Sequence, residues 1–165
     1  MSTFENDQYR WRETYFVLFF ADKRPLLGTV EKHLASLSKR YQLSNQSGDE
    51  DGRFESLTVV SPDDFAALDI CYTSGPEVLE QGEELVDELA AAAEPPSRDL
   101  LRRLKQYDGR FDVLHFEQVA EASPEDDEDE LLDPSALLAV LEALAKITGG
   151  VAVDPSSGTI LGDEG

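Results

Sequence analysis

The chain has 165 residues, 41% of them hydrophobic, with 35 acidic residues against 14 basic ones and a net charge of −21. This length fits one domain, and the hydrophobic fraction is large enough to form a core, which excludes a wholly disordered chain. So many negative charges would repel nucleic-acid phosphates and anionic membrane surfaces, so we expect neither nucleic acid nor a membrane as a partner.

Two further features indicate the compartment. The N-terminal residues lack the apolar run of a signal peptide, and no stretch approaches the ~18 apolar residues of a membrane span. Cys71 is the single cysteine, so no internal disulfide can form. A reducing, cytoplasmic location is therefore expected.

The first third of the chain predicts an arm followed by a β-α unit. Residues 1–13 are polar and aromatic and are expected to form the arm, whereas 14–21 are almost all apolar and predict a central strand buried on both faces. Residues 25–41 predict a helix, because apolar residues recur there at steps of three or four. That stripe consists of Leu27, Val30, Leu34, Leu37 and Tyr41. Residues 42–53 have no periodic pattern and two glycines, so we expect an exposed loop.

The middle of the chain predicts a hairpin, two helices and another strand. Residues 55–61 and 65–73 are β-prone and are separated by turn residues, so they form the predicted hairpin. A second helix is expected to begin near Pro76, since proline is favoured in a first turn. Ser97 is a good N-cap for a third helix at 98–107, and the alternation over 111–119 predicts a fourth strand.

The C-terminal part predicts a charged link, a helix and a hairpin. Residues 121–133 are strongly acidic, and 134–148 are apolar on too many sides for an exposed helix, so we expect that helix to be buried. Gly149 and Gly150 follow as a helix C-cap. Two short strands are then expected around the turn at 154–158.

The predicted order β-α-β-β-α-(α)-β resembles the split βαβ, ferredoxin-like pattern of α+β proteins. We therefore expect one domain in four parts: the arm, a ferredoxin-like core at 14–120, the acidic linker at 121–133, and a helix-hairpin at 134–161 packed on the core. This pattern hosts many unrelated functions, so it does not by itself indicate an activity.

The sequence contains no candidate catalytic, cofactor-binding or metal-binding motif. No phosphate-binding loop, dinucleotide fingerprint, nucleophile elbow or paired metal-ligand spacing is present. Residues 47–52 resemble the start of an EF-hand loop, but Thr58 stands where a bidentate glutamate is needed. Cys71 lies within a hydrophobic strand and is expected to be an inert thiol, while His33 and His115 are expected to be structural or surface residues.

Two charged segments are the candidate contact sites. The third helix carries the one concentrated positive patch, formed by Arg98, Arg102, Arg103 and Lys105. It could contact an anion or a partner, although it could equally neutralise acidic parts of this chain or of a second copy. The opposite charge is concentrated in Glu125, Asp126, Asp127, Glu128, Asp129 and Glu130. This run could contact a basic partner, weakly hold divalent cations or serve as a solvated connector.

The expected function is a non-enzymatic interaction or regulatory module with a basic protein, or a second copy of this chain, as partner. One alternative is a small-molecule-binding enzyme that uses the patch around Arg98 and Arg102, with His115 as a further pocket candidate. Another is an acidic inhibitor or immunity-type protein that neutralises a basic partner, since acidic surfaces accelerate such associations.

Overall fold

The computed structural model describes residues 9–61, 66–118, 135–155 and 157–163. It is a mixed α+β structure with helices on both faces of an antiparallel sheet. In chain order, the described α-helices and strands are β1 Tyr9–Phe19, α1 Leu27–Leu37, β2 Gln42–Gly48, β3 Phe54–Ser61, β4 Ala66–Ser74, α2 Pro76–Ala90, α3 Arg98–Gln106, β5 Gly109–Gln118, α4 Ser135–Thr148, β6 Val151–Asp154 and β7 Thr159–Asp163.

The described strands form one sheet in the order β2-β3-β4-β5-β1-β6-β7, and each neighbouring pair is antiparallel. β1 pairs with β5 over most of its length and with β6 near its C-terminal end. Val17, Leu18 and Phe19 are all buried, so both faces of β1 are covered, as the nearly continuous apolar run predicts.

Alternation along β1 divides the core between the two faces of the sheet. Val17 and Phe19 pack with residues of α1 and α4, whereas Leu18 packs with residues of α2 and α3. Successive side chains of a strand point to opposite faces, so each layer of helices has its own apolar cluster. The α2–α3 face is the one that carries the candidate site.

The ferredoxin-like topology is not confirmed. The sheet has seven described strands, more than a ferredoxin core. In a split βαβ unit a strand lies between the two strands that a helical crossover joins. Here α2 and α3 connect β4 to β5, which are direct antiparallel neighbours. The C-terminal hairpin also joins the main sheet, because β6 pairs with β1.

The expected loop at 42–53 is wrong, because most of it is the edge strand β2 and a tight turn to β3. Among the described strands β2 pairs with β3 alone, and all its residues are exposed or partly exposed, so apolar alternation is not required there. Two register shifts and a positive φ at Asn45 interrupt the pairing. Such irregularities are common at sheet edges, where they limit pairing with other chains.

Other boundaries also differ from those expected. Residues 9–13, expected in the N-terminal arm, belong to β1. The helix expected over 25–41 ends at Leu37. Residues 1–8 and the acidic linker at 121–133 lie outside the described residues, so the expectations for them stay predictions.

The connection from α4 to β6 depends on two glycines. Gly149 has a φ of +67°, the left-handed conformation that ends a helix, as predicted for this pair. Gly150 lies against the backbone of Leu18, and a Cβ there would collide with the Leu18 carbonyl and stand 2.9 Å from Cβ of Phe19. The close approach lets β6 begin immediately beside β1.

Candidate functional site

A cleft of about 400 Å³ lies between α2 and the sheet. α2 forms one wall, β1 and β5 form the floor, and the β6–β7 turn completes the lining. The lining residues are Phe16, Gln81, Glu84, Leu85, Glu88, Arg110, Asp112 and Pro155. None of them belongs to a site expected from the sequence.

Arg110 is the anchor of the cleft floor. Its Nε donates to Oδ1 of Asp112 at 2.6 Å, its Nη1 donates to Oε1 of Gln81, and the guanidinium carbon lies 4.4 Å from the ring centre of Phe16. Arg110 and Asp112 are two residues apart on β5, so they share one face of the sheet. The Arg110 side chain is only 10% exposed, and the carboxylate of Asp112 beside it compensates its charge.

Glu84 and Glu88 lie one helical turn apart on α2 and both line the cleft. Residues at this spacing are neighbours on a helix surface. Among the described residues, neither forms an ion pair or a hydrogen bond. With Asp112 they give the cleft lining three carboxylates against one guanidinium, so the cleft has an excess of negative charge.

Further polar residues lie on the same face of the neighbouring strands. Nδ2 of Asn45 donates to Oγ1 of Thr58 at 3.3 Å, and that hydroxyl donates to Oδ1 of Asp69 at 3.3 Å. Burial raises the pKa of Asp69, and the hydrogen bond from Thr58 opposes that rise. These residues extend the acidic character of the face beyond the cleft.

Cys71 lies between two of these carboxylates. It pairs across the strands with Asp112 and is two residues from Asp69. Burial, followed by the charges of Asp69 and Asp112, raises the pKa of the thiol to about 11. The thiol is therefore protonated at neutral pH, which is consistent with the expected unreactive cysteine.

The positive patch lies on α3, which packs beside α2 in the same layer. The side chain of Ser97 accepts from the backbone N–H of Leu100 and caps α3. Arg103 is directed to Asp99, at 3.5 Å, and to the Tyr107 hydroxyl, at 3.4 Å.

The remaining patch residues, Arg98, Arg102 and Lys105, are exposed and form no ion pair within the described part of the chain. Their role as a partner contact remains a prediction.

A partly buried polar cluster on the opposite face of the sheet was not predicted from the sequence. Nδ1 of His115 lies 3.3 Å from Oε1 of Glu13, and the Tyr15 hydroxyl donates to the same oxygen at 2.6 Å. Because Glu13 was expected to lie in the arm, no contact between it and His115 was predicted. The alternation of His115 with the buried Val113 and Phe111 was the available signal for its burial.

His33 and the EF-hand-like segment have local structural roles. His33 is exposed, with Nδ1 2.9 Å from the carbonyl oxygen of Thr29. Asp49 accepts the backbone N–H groups of Asp51 and Arg53 and pairs with Arg24 at 3.2 Å. Asp49 therefore stabilises the β2–β3 turn.

The described residues contain no group of metal ligands and no membrane-spanning helix. Among them, no three His, Cys, Asp or Glu side chains are grouped as metal ligands. No helix in the same part of the chain is long and apolar enough to traverse a bilayer. The acidic run at 125–130, predicted as a contact for a basic partner, lies outside the described residues.

A second depression, of about 290 Å³, lies between α1 and α4. Its lining combines His33, Glu142 and Lys146 with small or apolar residues. Because its lining mixes opposite charges, this depression favours neither a cationic nor an anionic ligand, in contrast to the acidic cleft.

Comparison of the chain with protein-family models, with curated proteins and with solved structures gave no match.

Proposed function

We propose that this protein is a non-enzymatic interaction module that binds a basic segment of a partner protein along α2 and the adjoining cleft. The observation that carries the proposal is the composition of the cleft, where Arg110 is already paired with Asp112 while Glu84 and Glu88 are unpaired among the described residues. A cation supplied by a partner would complete this arrangement.

The whole outer surface of α2 supports the same partner chemistry. Its sequence, PEVLEQGEELVDELA, contains no basic residue. Its six acidic side chains are all exposed, and none has an ion-pair partner among the described residues: Glu77, Glu80, Glu83, Glu84, Asp87 and Glu88. A continuous acidic surface accelerates association with a basic partner and disfavours acidic ones.

The apolar face of α2 explains why the acidic side can be presented rigidly. Val78, Leu85, Val86 and Leu89 are buried against Leu18 and the C-terminal strands. The helix therefore has a fixed rotation, which keeps all six carboxylates exposed and places Glu84 and Glu88 at the cleft. A preorganised surface loses less conformational entropy when the partner binds.

The proposal also includes a reducing compartment such as the cytoplasm. It is supported by the single cysteine of the chain and by the general scarcity of disulfides in reducing compartments. The exposed cations on α3 are proposed to orient the partner by contacting acidic groups next to its basic segment, because α3 adjoins α2.

Binding of the full chain to a synthetic Lys/Arg-rich peptide, measured by isothermal titration calorimetry at several salt concentrations, tests this function. We expect saturable binding that weakens as salt increases, because exposed charges are screened. Replacing Glu77, Glu80, Glu84 and Glu88 by Gln should abolish it.

The matched control replaces four acidic residues elsewhere, Glu50, Asp51, Glu55 and Glu142, by their amides and changes the net charge equally. If both variants lose the same affinity, binding depends only on net charge and the proposed surface is wrong. Absence of binding to the unaltered chain would also overturn the proposal.

A further inference from the structure

We propose that the cleft is a recognition pocket for one arginine side chain of the partner polypeptide, an inference that rests on the proposed function. Among basic partners, this proposal selects one that inserts a guanidinium group between α2 and β5. Three features of the cleft support this choice: the first favours arginine over lysine, the second favours a residue of a polypeptide over a free cation, and the third fits a long cationic side chain.

The first feature is the distribution of acceptors over two walls. Glu84 and Glu88 project from α2, whereas Asp112 projects from the sheet. Oδ1 of Asp112 is occupied by Arg110, but Oδ2 has no hydrogen bond among the described contacts. A planar guanidinium with five N–H donors can reach acceptors on both walls, while a lysine ammonium is a compact point charge.

The second feature is an unused donor on a side chain that is nine-tenths buried. Arg110 donates from Nε and Nη1, and its Nη2 has no hydrogen-bond partner in the described part of the chain. This nitrogen is not among the fully buried atoms without a partner, so it faces the solvent of the cleft, where a ligand acceptor can replace water. The backbone carbonyl of a bound arginine residue would supply the acceptor, which a detached cation would not.

The third feature is the apolar part of the lining. Phe16, Leu85 and Pro155 contribute apolar surface beside the carboxylates. The methylene groups of a long cationic side chain can cover such a surface while the charged end reaches the acceptors. A volume of about 400 Å³ accommodates one such side chain and its adjoining backbone.

Three synthetic peptides that differ only at one central residue test the inference. The residue is Arg, Lys or citrulline, which has the shape of arginine without its charge. We expect the Arg peptide to bind the full chain about tenfold more tightly than the Lys peptide, because a lysine cannot form the bidentate pairs with carboxylates that an arginine forms. The citrulline peptide should bind more weakly than either.

Two pairs of substitutions locate the effect on α2. In the Glu84→Gln, Glu88→Gln variant, the preference for Arg over Lys should disappear. In the matched Glu77→Gln, Glu80→Gln variant, outside the cleft lining, both affinities should fall together and the preference should remain. Thermal unfolding of both variants checks that they fold; both pairs are exposed, so little change is expected.

The outcomes separate the two proposals. Equal binding of the Arg and Lys peptides would overturn the arginine pocket and leave the proposed function intact, whereas no binding of either would overturn both. Free L-arginine is the remaining arm of the experiment. If it binds as tightly as the Arg peptide, the cleft recognises a small molecule, and the proposal that the arginine belongs to a partner polypeptide is wrong.

Discussion

Glu13 of β1 and His115 of β5 face each other across adjacent strands, with Oε1 of the carboxylate 3.3 Å from Nδ1 of the imidazole. The residue His115 is 5% exposed, and its Nε2 is buried without a partner in the described part of the chain. Glu13 therefore orients the imidazole ring of His115 through Nδ1 alone. Tyr15 donates to the same carboxylate oxygen, so one acceptor serves two partly or fully buried side chains.

Substitution of Glu13 by Ala tests the importance of this shared acceptor. We expect the free energy of unfolding to fall by about 1–3 kcal/mol, because His115 and Tyr15 lose a hydrogen-bond acceptor in a low-solvent environment. Urea denaturation provides the measurement. Glu55→Ala, at an exposed position on β3, is the control and should change stability by no more than about 0.5 kcal/mol. Equal effects would show that the cluster adds nothing.

Asp69 and Asp49 should have opposite effects on the pH dependence of stability. Burial raises the pKa of Asp69 above 3.8, so its ionised form penalises the folded state. Asp69→Asn should therefore increase the free energy of unfolding at neutral pH. The increase should be largest at a pH above the folded-state pKa of Asp69. It should shrink as the pH falls and vanish below the unfolded-state pKa, because the carboxyl is then protonated in both states.

For Asp49 the sign is reversed. The backbone N–H of Arg53 is the main cause that lowers its pKa, so ionised Asp49 favours the folded state. Asp49→Asn should lower stability at neutral pH, and the loss should vanish as the pH falls through the depressed folded pKa. Urea denaturation of both variants between about pH 7 and pH 3 measures this; changes of the same sign would contradict it.

Leu141 and Leu138 form a matched pair on α4. Leu141 is 1% exposed within the main core, whereas Leu138 is 46% exposed. We expect Leu141→Ala to cost about 2–5 kcal/mol, because it leaves a cavity, and Leu138→Ala to cost less than about 0.5 kcal/mol. Melting temperatures should not depend on protein concentration, since Leu141 packs within its own chain. Concentration-dependent melting would mean that α4 also packs on a second copy.

Gly150 and Gly28 should respond oppositely to alanine. A Cβ at residue 150 would meet the backbone of Leu18, so Gly150→Ala should cost about 1–3 kcal/mol through overpacking. Gly28 lies in the first turn of α1 with no atom within 4 Å of the added carbon, and Gly28→Ala should stabilise the protein by about 0.4–1 kcal/mol, because it restricts the unfolded chain. Thermal unfolding checks both, and a stable Gly150→Ala protein would contradict the close approach.

Local patterns in the sequence were sufficient for elements whose burial is periodic. The start of α2 at Pro76, the Ser97 cap of α3 and the glycines after α4 all appear where predicted, because they depend on residue types within a few positions. β2 was missed because an edge strand pairs through its backbone and leaves little apolar signal in its side chains.

The candidate cleft could not be derived in the same way. Gln81, Arg110 and Phe16 come from three elements far apart in the chain, and they meet only because β5 lies between β4 and β1. The large number of acidic residues also hides the few that line a cavity. The sequence indicated a basic partner, but not the surface that would bind it.

The chain alone was thus enough to establish its net charge, its capacity for a hydrophobic core and most of its helices and strands, since these depend on composition and short-range periodicity. The order of the strands, the pairing of Glu13 with His115 and the acidic cleft beside α2 were decided by tertiary structure. The physical reason is that strand pairing joins residues that are distant in sequence. If one central strand took another position or register, its residues would have different neighbours across the sheet.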